Sequence, residues 1–237
     1  MTWVQDLIEF SASRLTNRER DALLSRGVSD DQIDLFKLGH LNKELPEGVP
    51  KHFLDWSQNG KKLDDVFVFP LTTTLGEVRG FQFRHVVRER IGYMDYFLDR
   101  REPCLFGLSQ AIESMWVSQS VYLVEGAFDL FPVQRALSFV VATITAYTTP
   151  QTVALLRRLV QRVWLGYDMD STGRSGCKTF KARYEKDFEV TIISYPRVNG
   201  KQMKDPGELW EAWGDAQVVP FIRSAMAQSD SFLIKKV

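Results

Sequence analysis

Long apolar runs, paired cysteines and an excess of either charge are all missing from this 237-residue chain. No apolar run approaches twenty uninterrupted residues and no basic-then-apolar leader is visible, which argues against a membrane span or a secretory signal. Cysteine is scarce: Cys104 and Cys177 lie far apart, and with His40, His52 and His85 they show no CxxC or HxxxH spacing. That excludes a zinc ribbon built from this sequence and predicts no zinc in it. A soluble chain in a reducing cytoplasm is the expectation. Thirty basic residues against thirty acidic ones leave no overall field toward nucleic acid or membrane, so any polyanion site must be a local patch. Repeats and low-complexity tracts are absent too, and 44% hydrophobic residues are enough for a core.

What is present is a change of period along the chain. Up to about residue 60 the pattern is helical and polar: Leu7, Ile8, Leu15, Leu23 and Leu24 recur at roughly helical spacing, and Gly27 breaks it. Ser29 is placed to cap a further helix through Ile33, Leu35 and Phe36. From Val66 the spacing becomes that of strands, and 66-VFVFPL-71 and 78-VRGFQFR-84 predict a hairpin turning near Gly76. Phe81 and Phe83 then share one face, while Gln82 and Arg84 take the other. Beyond about residue 120, predicted strands at 121–126, 139–145, 163–168 and 189–196 alternate with helices near 128–136, 150–161 and 175–186. Thr149 before Pro150 marks one helix start. Strands apolar on both faces and separated by helices imply an α/β fold, a parallel sheet flanked by helices, here preceded by a smaller mixed α+β N-terminal subdomain.

Ligands of such sheets gather where strands end and helices begin. Two of the predicted strands end in acid: one delivers Glu125, Gly126 and then Asp129, the other Asp168 and Asp170, and 204-KDPGE-208 adds Asp205 and Glu208 in a late turn. Any one of these is more often an exposed loop residue or a helix cap than a ligand. Crowded together, they need protons or a hard cation, and Mg²⁺ is the natural occupant. Other readings of 168-DMDST-172 compete. A calcium EF-hand loop fails, because Thr172 and Thr179 stand where its fifth and twelfth ligands belong. A haloacid-dehalogenase-like phosphatase matches D-x-D-x-T literally, but it places this strand first and leaves Glu125 and Asp129 unexplained.

E-G-x-x-D after one strand and D-x-D-x-x-G after a later one resemble the Toprim domain of DnaG-type primases, topoisomerases and some nucleases. Three further segments, 23-LLSRGVSDDQIDLFKLGHL-41, 68-VFPLTTTLGEVRGFQFR-84 and 105-LFGLSQA-111, are similar to parts of the primase catalytic core and occur in its order. The resemblance implies a Toprim-type sheet, with 1-118 as the N-terminal subdomain, 119-214 as the Toprim domain and 215-237 as a C-terminal helical segment. It implies synthesis of short RNA primers from ribonucleoside triphosphates on single-stranded DNA, with Mg²⁺ or Mn²⁺. Carried over by position, Glu125, Asp168 and Asp170 become the catalytic metal site, Asp129 and Asp205 further metal ligands, and Arg84, Arg79 and Arg88 contacts to nucleotide or nucleic acid.

The departures are specific. A K-Y-x-N segment of the family reads 95-DYFL-98, D-P-D reads 205-DPG-207, an arginine before the first core strand becomes Asp65, and the middle-loop glycine is absent from 142-ATITAYTT-149. The family's zinc-binding and helicase-docking domains have no counterpart in the sequence, so a separate zinc-ribbon protein or a replicative helicase is the expected partner, as in a phage or mobile-element replication module in the cytoplasm of a bacterial or phage-infected cell. The competing expectations are a Toprim nuclease and a non-catalytic replication or defence subunit.

Overall fold

The computed structural model describes residues 2–87, 93–99 and 103–233, with side chains as far as Ala227. Its first half is helices α1 (Trp3–Ser13), α2 (Asn17–Leu24), α3 (Asp30–Leu35) and α4 (Lys51–Ser57) around strands β1 (Gly39–Leu41), β2 (Val66–Thr72), β3 (Val78–His85) and β4 (Tyr93–Phe97). These strands form one antiparallel sheet in the order β1-β2-β3-β4. The Ser29 hydroxyl does cap α3, accepting the Gln32 N–H. Pro70 sits in β2 without conflict because the last pair with β1 is Gly39 with Val68, so no neighbour there requires an N–H from residue 70. Phe81 and Phe83 pack with Leu7, Phe53 and Tyr96 beneath α1 and α4, as the alternation predicts.

The second half alternates strand and helix: α5 (Leu108–Ser118), β5 (Ser120–Val124), α6 (Ala127–Gln134), β6 (Val140–Ala142), α7 (Pro150–Leu159), β7 (Arg162–Gly166), α8 (Ser171–Tyr184) and β8 (Glu189–Ile192). The sheet is parallel throughout, in the order β6-β5-β7-β8. Its central strand explains the unbroken apolar run. Val121 and Leu123 pack toward α5, α7 and α8, while Tyr122 and Val124 face the other core with α3 and α6. The Thr149 hydroxyl caps α7 as expected, 3.1 Å from the Thr152 nitrogen. A short ribbon, β9 (Arg197–Val198) with β10 (Lys201–Gln202), leads into α9 (Pro206–Trp213) and α10 (Asp215–Leu233). No helix among the described residues is long and apolar enough to cross a membrane.

One two-residue link joins the sheets. Leu105 exchanges both backbone hydrogen bonds with Thr72 at the end of β2, and Phe106 does the same with Ala142 of β6, all at 3.0–3.2 Å.

Candidate active site

Seven acidic residues line a cleft of about 650 Å³ at the carboxyl edge of the parallel sheet, Glu208 and Glu211 of α9 and five that stand at strand ends or helix starts. Glu125 follows the last residue of β5; Asp129 lies in the first turn of α6; Asp168 and Asp170 leave β7; Asp205 precedes α9. Helix capping, the bland reading of such acids, holds for three of them. Asp170 Oδ1 accepts the N–H groups of Thr172 and Gly173 at 2.9 Å, Asp205 Oδ1 accepts that of Glu208 at 2.7 Å, and Asp129 Oδ2 accepts that of Gly126 at 3.1 Å. Capping fixes these side chains in place, and for Asp170 and Asp205 it uses one oxygen and leaves the other for a ligand. Asp129 is more fully engaged, since its Oδ1 also takes the Gly207 N–H at 3.4 Å.

Crowding and burial shift the titration of these acids. Burial, then the charges of Asp168 and Asp170, push Glu125 up to about 7. Burial, then Asp205 and Asp168, raise Asp129 well above the usual carboxylate range, and burial raises Asp205 in the same direction. Lys204 answers part of the repulsion, with Nζ 2.6 Å from Asp168 Oδ2 and 3.8 Å from Asp170 Oδ2. Burial opposes its charge, but the hydrogen bond to Asp168 and the surrounding acids outweigh this and raise its pKa.

The donors are of the type a hard divalent ion takes, but among the described residues only Glu19, His40 and Asp65 already bring three ligand atoms within 4.8 Å of one another. Glu125 Oε2 is buried with no hydrogen-bond partner among the described residues, and it stands in a group of carboxylate oxygens, the ligands such ions prefer. Glu125, Asp168 and Asp170 are the residues that could hold an ion here, and Asp205 and Asp129 line the same cleft.

Polar and cationic side chains line the same cleft. Gln82, Arg84 and His85 come from β3, Tyr93 from β4 and Arg26 from the turn after α2. The Arg84 guanidinium sits over the Tyr93 ring, 5.6 Å from its centroid, and that of Arg26 lies 3.6 Å from the centroid of Phe128. Gln82 Oε1 and His85 Nδ1 are further buried polar atoms without a partner among the described residues. Strand alternation put Arg84 and Gln82 on the face opposite Phe81 and Phe83, and the resemblance to the primase core singled out Arg84. Sequence reasoning missed Arg26, His85, Tyr93 and Lys204 as members of the cleft, because only tertiary packing brings them there. Arg26 does lie within 23-LLSRGVSDDQIDLFKLGHL-41, one of the segments similar to the primase core, which was the available signal.

Arg79 is not brought to the cleft. Leu71 opposes Gly80 and Thr72 opposes Val78, which leaves Arg79 as the extra residue of a bulge, and it pairs with Glu77 at 2.7 Å. Arg88, the third arginine of the sequence reading, lies outside the described residues.

A second acidic group, Glu19, His40 and Asp65, sits apart. Glu19 and His40 line a separate cleft of about 250 Å³ that shares no lining residue with the first. Here the cationic partner is already in place. Arg18 binds Asp65 through both nitrogens at 2.9 and 3.2 Å and Glu19 at 3.0 Å, while His40 Nε2 lies 3.0 Å from Asp65. Burial would raise Asp65, but Arg18 and His40 outweigh it and hold its pKa down. We read this group as an ion-pair network tying α2 to the start of β2.

Gly173 tests the dependence of the acidic wall on α8. A Cβ there would lie 2.2 Å from the Asp168 carbonyl oxygen and 2.9 Å from its nitrogen. Gly173→Ala should therefore displace the Asp168–Asp170 loop, lowering stability by about 1–3 kcal/mol and weakening Mn²⁺ binding. Urea unfolding and a Mn²⁺ titration check this; a variant matching the wild type in both would refute the packing argument.

A family model described as Toprim-like matches residues 122–210. The chain is 27% identical over 213 residues to the DNA primase of Treponema pallidum, covering 81% of this chain and 34% of that protein. It therefore spans about a third of that curated relative's length. Among solved structures it is similar to the DnaG catalytic core, with a TM-score of 0.75 at 20% identity over 95% of this chain and 78% of the other. A DnaG primase catalytic domain bound to single-stranded DNA gives a TM-score of 0.72 at 20% identity, covering 95% and 79%.

Proposed function

We propose that this chain, which resembles DnaG-type primase catalytic cores in sequence and in fold, is a metal-dependent nucleotidyltransferase that makes short RNA primers on single-stranded DNA. The observation that carries the reading is the cleft itself: a buried Glu125 carboxylate oxygen without a partner among the described residues, in a cleft of about 650 Å³ that Asp168, Asp170, Asp205, Arg84 and Arg26 also line. We take 1-118, 119-214 and 215-237 as its structural divisions.

In this reading Glu125, Asp168 and Asp170 are the principal metal ligands, with Asp205 and Asp129 as further contributors. Mg²⁺ or Mn²⁺ bound there supplies the charge that neutralises triphosphate oxygens and eases attack by a 3′-hydroxyl. The chain's own residues do the positioning. Capping hydrogen bonds hold Asp170 and Asp205 at fixed angles, so that no reorganisation is needed when substrate arrives. Arg84 and Arg26, each steadied against an aromatic ring, offer planar donors suited to phosphate oxygens. Gln82 and His85 add polar groups to the same cleft.

The balanced net charge supports weak intrinsic affinity for nucleic acid, because phosphate contacts supply most non-specific binding. Asp95 points the same way: it pairs with Gln82 at 3.1 Å, at a position where the family carries a basic residue. We therefore assign template reading to a partner polypeptide, a zinc-ribbon protein or a replicative helicase, in a phage or mobile-element replication module. Incubation with single-stranded DNA, labelled ribonucleoside triphosphates and Mg²⁺ or Mn²⁺ should yield short RNA chains. Shortened DNA without RNA would establish a nuclease instead, and binding with neither product would establish a non-catalytic subunit.

A further inference from the structure

Lys204 stands where a divalent ion and a lysine would compete for the same oxygen. Its ammonium lies 2.6 Å from Asp168 Oδ2, within the acidic wall, while its side chain keeps 47% of its surface exposed toward the cleft. Its backbone, by contrast, is pinned on both sides. The Lys204 carbonyl accepts the Met169 N–H at 2.7 Å, between the two DxD acids, and its own N–H donates to Glu208 Oε2 at 2.6 Å. The main chain therefore cannot follow a moving side chain, but the four-carbon stem can carry the ammonium over several ångströms by rotamer change alone.

We infer that Lys204 is an exchangeable counter-ion of the acidic site. Its ammonium holds Asp168 when no divalent cation is bound, and on metal entry it is released into the cleft, where it pairs with the phosphates of the incoming nucleoside triphosphate. Charge balance carries the first half. Asp168, Asp170 and Glu125 repel one another and Lys204 relieves that repulsion, so a metal ion must displace it to reach Asp168 Oδ2. Placement carries the second half, because Lys204 lines the same cleft as Arg84 and Arg26, so an ammonium displaced from Asp168 has that cleft within reach of its stem. Metal entry thereby adds a third cationic group to the phosphate side. The first half rests on the metal site of the proposed function, and the second on its polymerase reading as well.

The test uses the full chain and two variants, Lys204→Met, which keeps the length of the side chain without its charge, and Lys204→Arg, which keeps the charge. Mn²⁺ affinity is measured by electron paramagnetic resonance without nucleotide, and ATP affinity by calorimetry at saturating Mn²⁺. Lys204→Met should bind Mn²⁺ about tenfold more tightly and ATP several-fold more weakly, while Lys204→Arg stays near the wild type in both. A merely structural lysine would move both affinities in the same direction, and that result, or unchanged or weakened Mn²⁺ binding in Lys204→Met, overturns the inference. Wild-type chain that binds Mn²⁺ and ATP with these variant effects but makes no RNA would sink the primase reading and leave the exchange standing.

Discussion

Asp168→Asn is expected to lower primer synthesis by roughly 10³-fold or more while the chain stays folded. Asp168 is the acid that the other groups of the wall converge on: its charge helps raise Glu125, Asp129 and Asp205, and its Oδ2 binds Lys204. As a metal ligand of the proposed site, its loss would forfeit several kcal/mol of transition-state charge stabilisation, which corresponds to about that factor. Folding should not suffer in proportion. Asparagine keeps the shape and the backbone that Gly173 packs against, and it removes repulsion that Glu125 otherwise bears. Labelled ribonucleotide incorporation and thermal melting in chelator are the paired measurements. Synthesis at the wild-type rate by a folded variant would place the chemistry elsewhere.

The second large effect is a pH dependence that divalent ions erase. Glu125 titrates near 7 in the folded chain against about 4.5 unfolded, so between these values the folded state binds more protons. Stability must then fall as pH rises from 4.5 through 7, and the loss is complete above it. Asp129 and Asp205 are raised too, and they add with the same sign. For a half-buried group, with solvent screening allowed for, the Glu125 share is about 2 kcal/mol, or roughly 5 °C in melting temperature at this chain length. Calorimetry in chelator at pH 5.5 and pH 8 should show this drop in the wild type, much less of it in Glu125→Gln, and its removal by Mn²⁺ at pH 8. Parallel pH curves for wild type and Glu125→Gln would reject the assignment.

How far the sequence could be read depended on whether a feature was local. The strands of the parallel sheet stood out because both faces of β5 are buried, which forces an unbroken apolar run. The loops after β5 and β7 followed from where those runs stopped. Thr149 and Ser29 were legible as caps because the cap and its helix are neighbours in sequence. Strands β1 and β4 were not, since Gly39–Leu41 is only three residues long and Tyr93–Phe97 carries Asp95 at its centre; each exists because an edge was available to pair with. The displacement of Arg79 depends on one extra residue opposite Leu71 and Thr72, which no reading of β3 alone reveals. Lys204 stands within 204-KDPGE-208, but its place beside Asp168 goes with a Met169 hydrogen bond 35 positions away in the chain.

The Leu105–Phe106 link sets a limit on how the cleft works. Arg84 belongs to the antiparallel sheet and Glu125 to the parallel one, so the two walls look like the halves of a jaw. Their hinge, however, is made of four backbone hydrogen bonds among Thr72, Leu105, Phe106 and Ala142, all of them buried. Swinging the sheets apart would expose and break those bonds together, at a cost of several kcal/mol. The link thus resists a hinge motion between the two sheets, and a ligand of the proposed kind would meet walls whose spacing the backbone already holds.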